Sequence, residues 1–195
     1  MSDPPAPIFQ TLDRTARAPY PKSWYVKRLA WNVVWTTLFR LPIPKFGPAW
    51  RRTLLRLFGA RLGKAALFAT STRVFHPWLL EVGDWCAFAG GVTVYNLGRV
   101  CVGDHTVISQ DAYLCAGTHD YTRPDLPLLR PEIRVGSGVW IAAGAFVCPG
   151  VKVGDNSVVA ARSVVTRHVP PGMVVGGNPA RVLKARTMQA GAPRG

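Results

Sequence analysis

Acidic side chains are scarce in this chain: ten Asp and Glu stand against 24 Lys and Arg, a net charge of +14. The deficit is concentrated at the front, where residues 1–65 carry 12 Lys and Arg against Asp3 and Asp13 alone. Such a segment suits nucleic acid, an anionic membrane surface or a phosphorylated ligand, and equally a merely solvated surface. No nucleic-acid motif accompanies the charge, so nucleic acid is not expected as a partner. Long apolar runs are also missing. Leu29–Phe39 is only 11 residues and is interrupted by Asn32, too short to span a bilayer. Residues 1–20 carry Pro and Asp and no apolar core run, so no secretory signal is read there. The cysteines (Cys86, Cys101, Cys115 and Cys148) form no CxxC pair and no zinc-finger spacing. They read as reduced core or near-core thiols of a cytoplasmic protein.

What the chain does have is a period of six. From Val135 to Val165, apolar residues open successive blocks at Val135, Ile141, Val147, Val153, Val159 and Val165. Four residues into each block stands a small or β-branched residue: Val139, Ala145, Val151, Ser157, Ser163. This is neither the period of two of an ordinary strand nor the 3.6 of a helix; it is a repeat. The pattern begins less cleanly near Gly63 and restarts at Val82 and Val102, with a two-residue insertion near Leu97–Gly98. It stops from His119 to Arg134, then resumes at Val135. These restarts predict turns of about 18 residues, three short strands each, with one excursion between the second and third. Opening residues point inward and the small residue fits a corner. Stacked coils pair their backbones at ~4.8 Å, so roughly five coils give a prism ~24 Å tall. Gly83-Asp84, Gly103-Asp104 and Gly154-Asp155-Asn156 supply tight turns. An all-β repeat is expected over residues 63–185, with a loop at 120–134 and a tail at 186–195.

Ahead of the repeat, residues 1–62 form a basic, Trp-rich arm with helices. Five prolines in residues 1–22 predict an extended arm. A helix over 23–41 follows, with Ser23 as its cap and Trp24, Arg28, Trp31, Trp35 and Leu38 at helical spacing. A second helix, 48–58, places Trp50, Leu54, Leu57 and Phe58 on one side and Arg51, Arg52 and Arg56 largely on others. Aromatics beside cations on amphipathic helices suit a membrane interface across residues 23–60, and they equally suit packing on the repeat body or a sister subunit.

Residues 63–185 resemble the hexapeptide-repeat acyltransferases. The resemblance rests on the period-six run and on the ending VVGGNPARVLK (Val174–Lys184). Residues Tyr95–Tyr121, with the basic N-terminal segment, look like the colanic-acid-type polysaccharide O-acetyltransferases; maltose and galactoside acetyltransferases are more distant. The resemblance implies a left-handed parallel β-helix, a hand opposite to the usual crossover rule. It also implies a homotrimer with sites between neighbouring prisms, and acetyl-CoA as co-substrate.

The AGTHDY motif carries the family's catalytic base onto His119. The chemistry agrees: a neutral alcohol attacks a thioester poorly, and an imidazole can take the proton and hand it on. Asp120 and Asp111 are weaker candidates to orient it. By the same resemblance, Ala143 and Ala161 match positions that bond the pantetheine arm of CoA. Thr166, Arg167, Arg181 and Lys184 match positions near its nucleotide end, where positive charge meets phosphates. Trp140 matches an aromatic beside the reaction centre. An acceptor-contacting Asn of the galactoside type is replaced here by Ala89, which leaves Tyr95 and Asn96 as substitutes. The acceptor is expected to be a sugar of a cell-surface polysaccharide or its precursor, free or lipid-linked. Two rivals remain. One is a non-catalytic β-helix assembly subunit. The other is a metal-dependent, carbonic-anhydrase-like enzyme of the same fold, disfavoured because it needs two histidines five apart and the nearest pair here is His105 and His119.

Overall fold

The computed structural model describes residues 10–11, 19–42 and 45–189. The expected arm and tail therefore lie largely outside the described residues. Helix α1 (Lys22–Val34) runs on into a π-helical turn at Trp35–Phe39. The widening has a local cause: the hydroxyls of Thr36 and Thr37 donate to the carbonyls of Asn32 and Val33, in competition with the backbone amides. Ser23 does not cap; it lies inside the helix, which begins after Pro21. Helix α2 (Gly47–Leu57) has Pro48 in its first turn, as a missing N–H there demands.

The chain then coils. The first coil is β1 (Arg61–Leu62), β2 (Leu67–Phe68) and β3 (Arg73–Val74). The second is β4 (Leu80–Val82), β5 (Ala87–Phe88) and β6 (Thr93–Tyr95), and the third β7 (Val100–Val102), β8 (Val107–Ile108) and β9 (Tyr113–Cys115). A hairpin of β10 (Thr118–His119) and β11 (Leu128–Leu129) interrupts. The fourth coil is β12 (Ile133–Val135), β13 (Trp140–Ile141) and β14 (Phe146–Val147), and the fifth β15 (Lys152–Val153), β16 (Val158–Val159) and β17 (Val164–Val165). A partial sixth, β18 (Met173–Gly177), turns back antiparallel as β19 (Ala180–Ala185) and closes the end. Corresponding strands stack in parallel into three faces: β1-β4-β7-β12-β15, β2-β5-β8-β13-β16-β18, and β3-β6-β9-β14-β17. The fold is a parallel β-helix of five full coils and a partial sixth.

The inward residues are those that open the blocks: Val82, Val102, Val135 and Val153 on one face, Phe88, Ile108, Ile141 and Val159 on the next, Val94, Leu114, Val147 and Val165 on the third, all buried. Phe68 and Phe88 stack at 4.7 Å. Where a hydroxyl enters the core it finds a carbonyl: Thr106 donates to Gly136 and Ser157 to Pro170, each at 2.8 Å. The Gly-Asp corners also stack. The Asp104 carboxylate accepts from the Asp84 amide one coil earlier at 2.7 Å, and a Cβ on Gly83 would come within 2.1 Å of it. That corner requires glycine.

Two sequence expectations change. The first two turns are 20 residues long, the second through the insertion expected near Leu97–Gly98; the fourth keeps 18 and the fifth shortens to 16. The extra residues stack as a pair, His76 over Asn96. Helix sidedness also differs. In α2, Arg51 is buried and donates to the Phe68 carbonyl, while Leu57 is exposed. Helical spacing says which side chains share a stripe; docking decided that Arg51, Leu54 and Leu55 face the first coil. All four cysteines are free thiols, Cys86 buried and the others half-buried.

Candidate active site

His119 stands in β10, where the regular coil has just ended. Two close approaches set the hairpin in place. Its outgoing leg crosses Leu97 at Gly117, where a Cβ would lie 2.8 Å from the Leu97 side chain. Its return leg crosses Gly98, where a Cβ would lie 2.4 Å from the Arg130 carbonyl oxygen. The Leu97–Gly98 insertion is thus the seat of the hairpin. At the tip, the Asp120 carboxylate accepts from the amide and hydroxyl of Thr122 at 3.0 and 2.6 Å, which holds it below the usual carboxylate range. Arg123 pairs with Asp125 at 2.8 Å. The front of the chain braces the hairpin from outside: Thr11 donates to the Pro124 carbonyl, and the Arg130 guanidinium lies over the Tyr20 ring at 4.9 Å.

The His119 ring is exposed and its Nδ1 lies 2.6 Å from the Leu126 carbonyl oxygen. A carbonyl only accepts, so Nδ1 carries the proton and Nε2 keeps its lone pair. The orienting group is therefore a backbone carbonyl and not Asp120, whose carboxylate is engaged by Thr122. Leu126 delivers that carbonyl from a left-handed conformation, φ +44°, that a leucine adopts only under constraint. No sequence signal pointed to Leu126.

Ala143 and Ala161 occupy the same corner of successive coils. The Ala143 carbonyl accepts from the Arg162 amide at 2.8 Å, and Arg162 sits at φ +55°. Among the described residues the amides of Ala143 and Ala161 meet no acceptor. The corner thus offers a ladder of backbone donors, suited to an extended amide-bearing chain. Toward the closed end, Arg167 lines two adjoining hollows. One, of about 300 Å³, includes Thr166; the other, of about 140 Å³, includes Arg181. Lys184 is exposed on β19, outside both.

Trp140 is exposed on the outer side of β13, its Nε1 donating to Ser109 at 2.9 Å. Tyr95 is half-buried on the outer face of β6, edge-on to Phe75 at 4.7 Å and 6.1 Å from Tyr113. Tyr113 in turn stacks on Phe146 at 5.1 Å, so this face carries an aromatic ladder. Asn96 does not belong to the site. It is fully buried, its side-chain oxygen accepts from the amides of Phe75 and His76, and its side-chain nitrogen donates to the His76 carbonyl at 2.6 Å. Buried and bonded in this way it presents nothing to an acceptor; Asn96 stitches the two insertions together.

A family profile described as Bacterial transferase hexapeptide (six repeats) matches residues 132–167. A candidate colanic acid biosynthesis acetyltransferase of Escherichia coli (strain K12), WcaF, is 40% identical over 161 residues, 83% of this chain and 88% of that protein. The chain belongs to the hexapeptide-repeat acetyltransferases. Galactoside O-acetyltransferase of the same strain is 33% identical over 69% of this chain and 68% of its own. A hexapeptide-repeat acetyltransferase of Vibrio cholerae O1 biovar eltor, VCA0836, solved with acetyl-coenzyme A, superposes with a TM-score of 0.77 at 25% identity, over 91% of this chain and 96% of that one.

Within this acetyltransferase fold the thiols make poor nucleophiles. Burial pushes Cys86, Cys115 and Cys148 up, and burial with a bond to the Glu132 carboxylate pushes Cys101 up to about 12. Among the described residues no three His, Cys, Asp or Glu side chains converge as metal ligands.

Proposed function

We propose that this acetyltransferase moves an acetyl group from acetyl-CoA to a sugar hydroxyl of a cell-surface polysaccharide or its precursor, directly and without an acyl-enzyme. Nε2 of His119 takes the hydroxyl proton as the sugar oxygen bonds to the thioester carbonyl carbon. The tetrahedral adduct collapses, the carbon–sulfur bond breaks, and the imidazolium returns the proton to the departing thiolate. The products are an O-acetyl ester and free CoA thiol. The Leu126 carbonyl holds the ring and stabilises its charge while it carries two protons. The observation that carries this reading is the His119–Leu126 bond, which engages Nδ1 and leaves Nε2 of an exposed ring as the basic nitrogen.

The donor amides at Ala143 and Ala161 fit the pantetheine arm, and Arg167 and Arg181, with Thr166, fit the phosphates, Lys184 adding positive charge from outside the hollows. Tyr95 and Trp140 supply rings for a sugar face. The working unit in this reading is a homotrimer. Exposed Leu67, Val107 and Trp140 align across one outer face, an apolar strip suited to a neighbouring prism. Dependence on acetyl-CoA supports a cytoplasmic setting for the reaction.

The test uses radiolabelled acetyl-CoA with extracted envelope-precursor glycans as acceptors, before and after mild alkali. An ester label is released and an amide label is not. Alkali-stable label would replace O-transfer with N-transfer. No label at all, from a folded trimer, would favour the non-catalytic assembly subunit.

A further inference from the structure

Seven tryptophans and a basic front end point toward a membrane, but the structure turns the helical tryptophans inward. Trp31 is fully buried and its Nε1 donates to the Val74 carbonyl at 2.6 Å; Trp35 donates to Thr72 at 2.8 Å. Trp24 stacks on Tyr20, and Trp50 donates to Leu38. What remains outward on α1, besides Tyr25, Asn32 and the polar residues of its first turn, is aliphatic. Val26, Leu29 and Val33 are 70, 66 and 56% exposed and share one stripe by their three- and four-residue spacing. Leu38, Leu41 and Phe46 carry exposed apolar surface on beyond the helix.

The rim of this surface has one sign. Lys22, Arg40 and Lys45, which flank it along the chain, are exposed, and no Asp or Glu occurs between Asp13 and Glu81. A second copy laid on this face would bring its own cations against these. An anionic partner completes both halves at once. The eighteen residues from Lys22 to Phe39 would reach ~27 Å as an ideal helix, a length that lies along a surface, and no described helix is long and apolar enough to cross a bilayer.

We propose that α1 docks on an anionic bilayer, its Val26–Leu29–Val33 stripe entering the headgroup–acyl boundary while the surrounding Lys and Arg meet lipid phosphates. The tryptophans hold the helix on the first coil and leave its outer side for lipid. The stripe lies on α1 and His119 on β10, so loss of transfer activity and loss of docking are read from different variants.

The experiment is flotation of the full-length protein with vesicles of phosphatidylcholine alone or mixed equally with phosphatidylglycerol. Flotation is expected with the anionic vesicles, weaker with added salt and with neutral vesicles. The double variant Leu29→Glu/Val33→Glu should bind about tenfold or more weakly, with unchanged oligomeric mass and unchanged turnover of a soluble acceptor. Absence of flotation with anionic vesicles would overturn the proposal. So would flotation indifferent to the double variant, or a fall in oligomeric mass in that variant, which would assign the stripe to a second copy.

Discussion

Nδ1 of His119 and the carbonyl oxygen of Leu126 lie 2.6 Å apart, across the mouth of the hairpin that interrupts the coil. The ring is fixed by a main-chain atom, which is available only because Leu126 sits at φ +44°. Proline cannot reach that angle, whereas glycine does so without strain. Leu126→Pro should therefore lower kcat about a hundredfold through misplacement of the base, with KM for acetyl-CoA little changed. Leu126→Gly should retain near-normal kcat. Steady-state kinetics of the two variants side by side check this.

The hairpin root makes a second prediction. Because the return leg passes directly over Gly98, Gly98→Ala must push the Arg130 backbone away. A loss of about 1–3 kcal/mol is expected in urea unfolding, as for other overpacked sites, together with reduced turnover.

His76 gives a pH dependence. Burial pushes its imidazole down to about 4, against the Asn96 carbonyl that accepts from Nδ1–H at 3.0 Å. Between its ordinary value near 6.5 and about 4 the unfolded chain binds a proton that the folded protein refuses. Stability is therefore full at neutral pH and falls as pH drops through this window. Urea midpoints should decline between pH about 7 and about 5, and His76→Gln should flatten that part of the decline.

These residues also mark how far the sequence could be read. The inward positions, from Val82 to Val165, were legible because a parallel stack forces an apolar residue at every opening position and a small one at every corner. The excursion that begins at His119 was legible because it stands where that rule stops. Asn96 was misassigned: its partner His76 is 20 residues away in the coil below, and stacking of two insertions leaves no local periodicity. The inward turn of Trp31 and the burial of Arg51 were not legible because a helical pattern fixes which residues share a face but not which face docks. The Leu126 carbonyl was invisible for a simpler reason, since any residue type carries one.

Arg167 and Arg181 line the small hollow beside the last coil. If they meet the phosphates of CoA, Arg167→Glu and Arg181→Glu should each raise KM for acetyl-CoA about tenfold or more with kcat within a few-fold of normal. Initial rates across a range of acetyl-CoA concentrations report it.

The central claim is that His119 is the base. Its side chain is exposed and makes one hydrogen bond, so its removal should leave the fold intact. The direct measurement is acetyl-CoA turnover with extracted envelope-precursor glycans, by wild type and His119→Ala of matched oligomeric mass and thermal midpoint. A fall of about 10²–10⁴-fold in kcat is predicted; unchanged turnover in the folded variant would contradict the account.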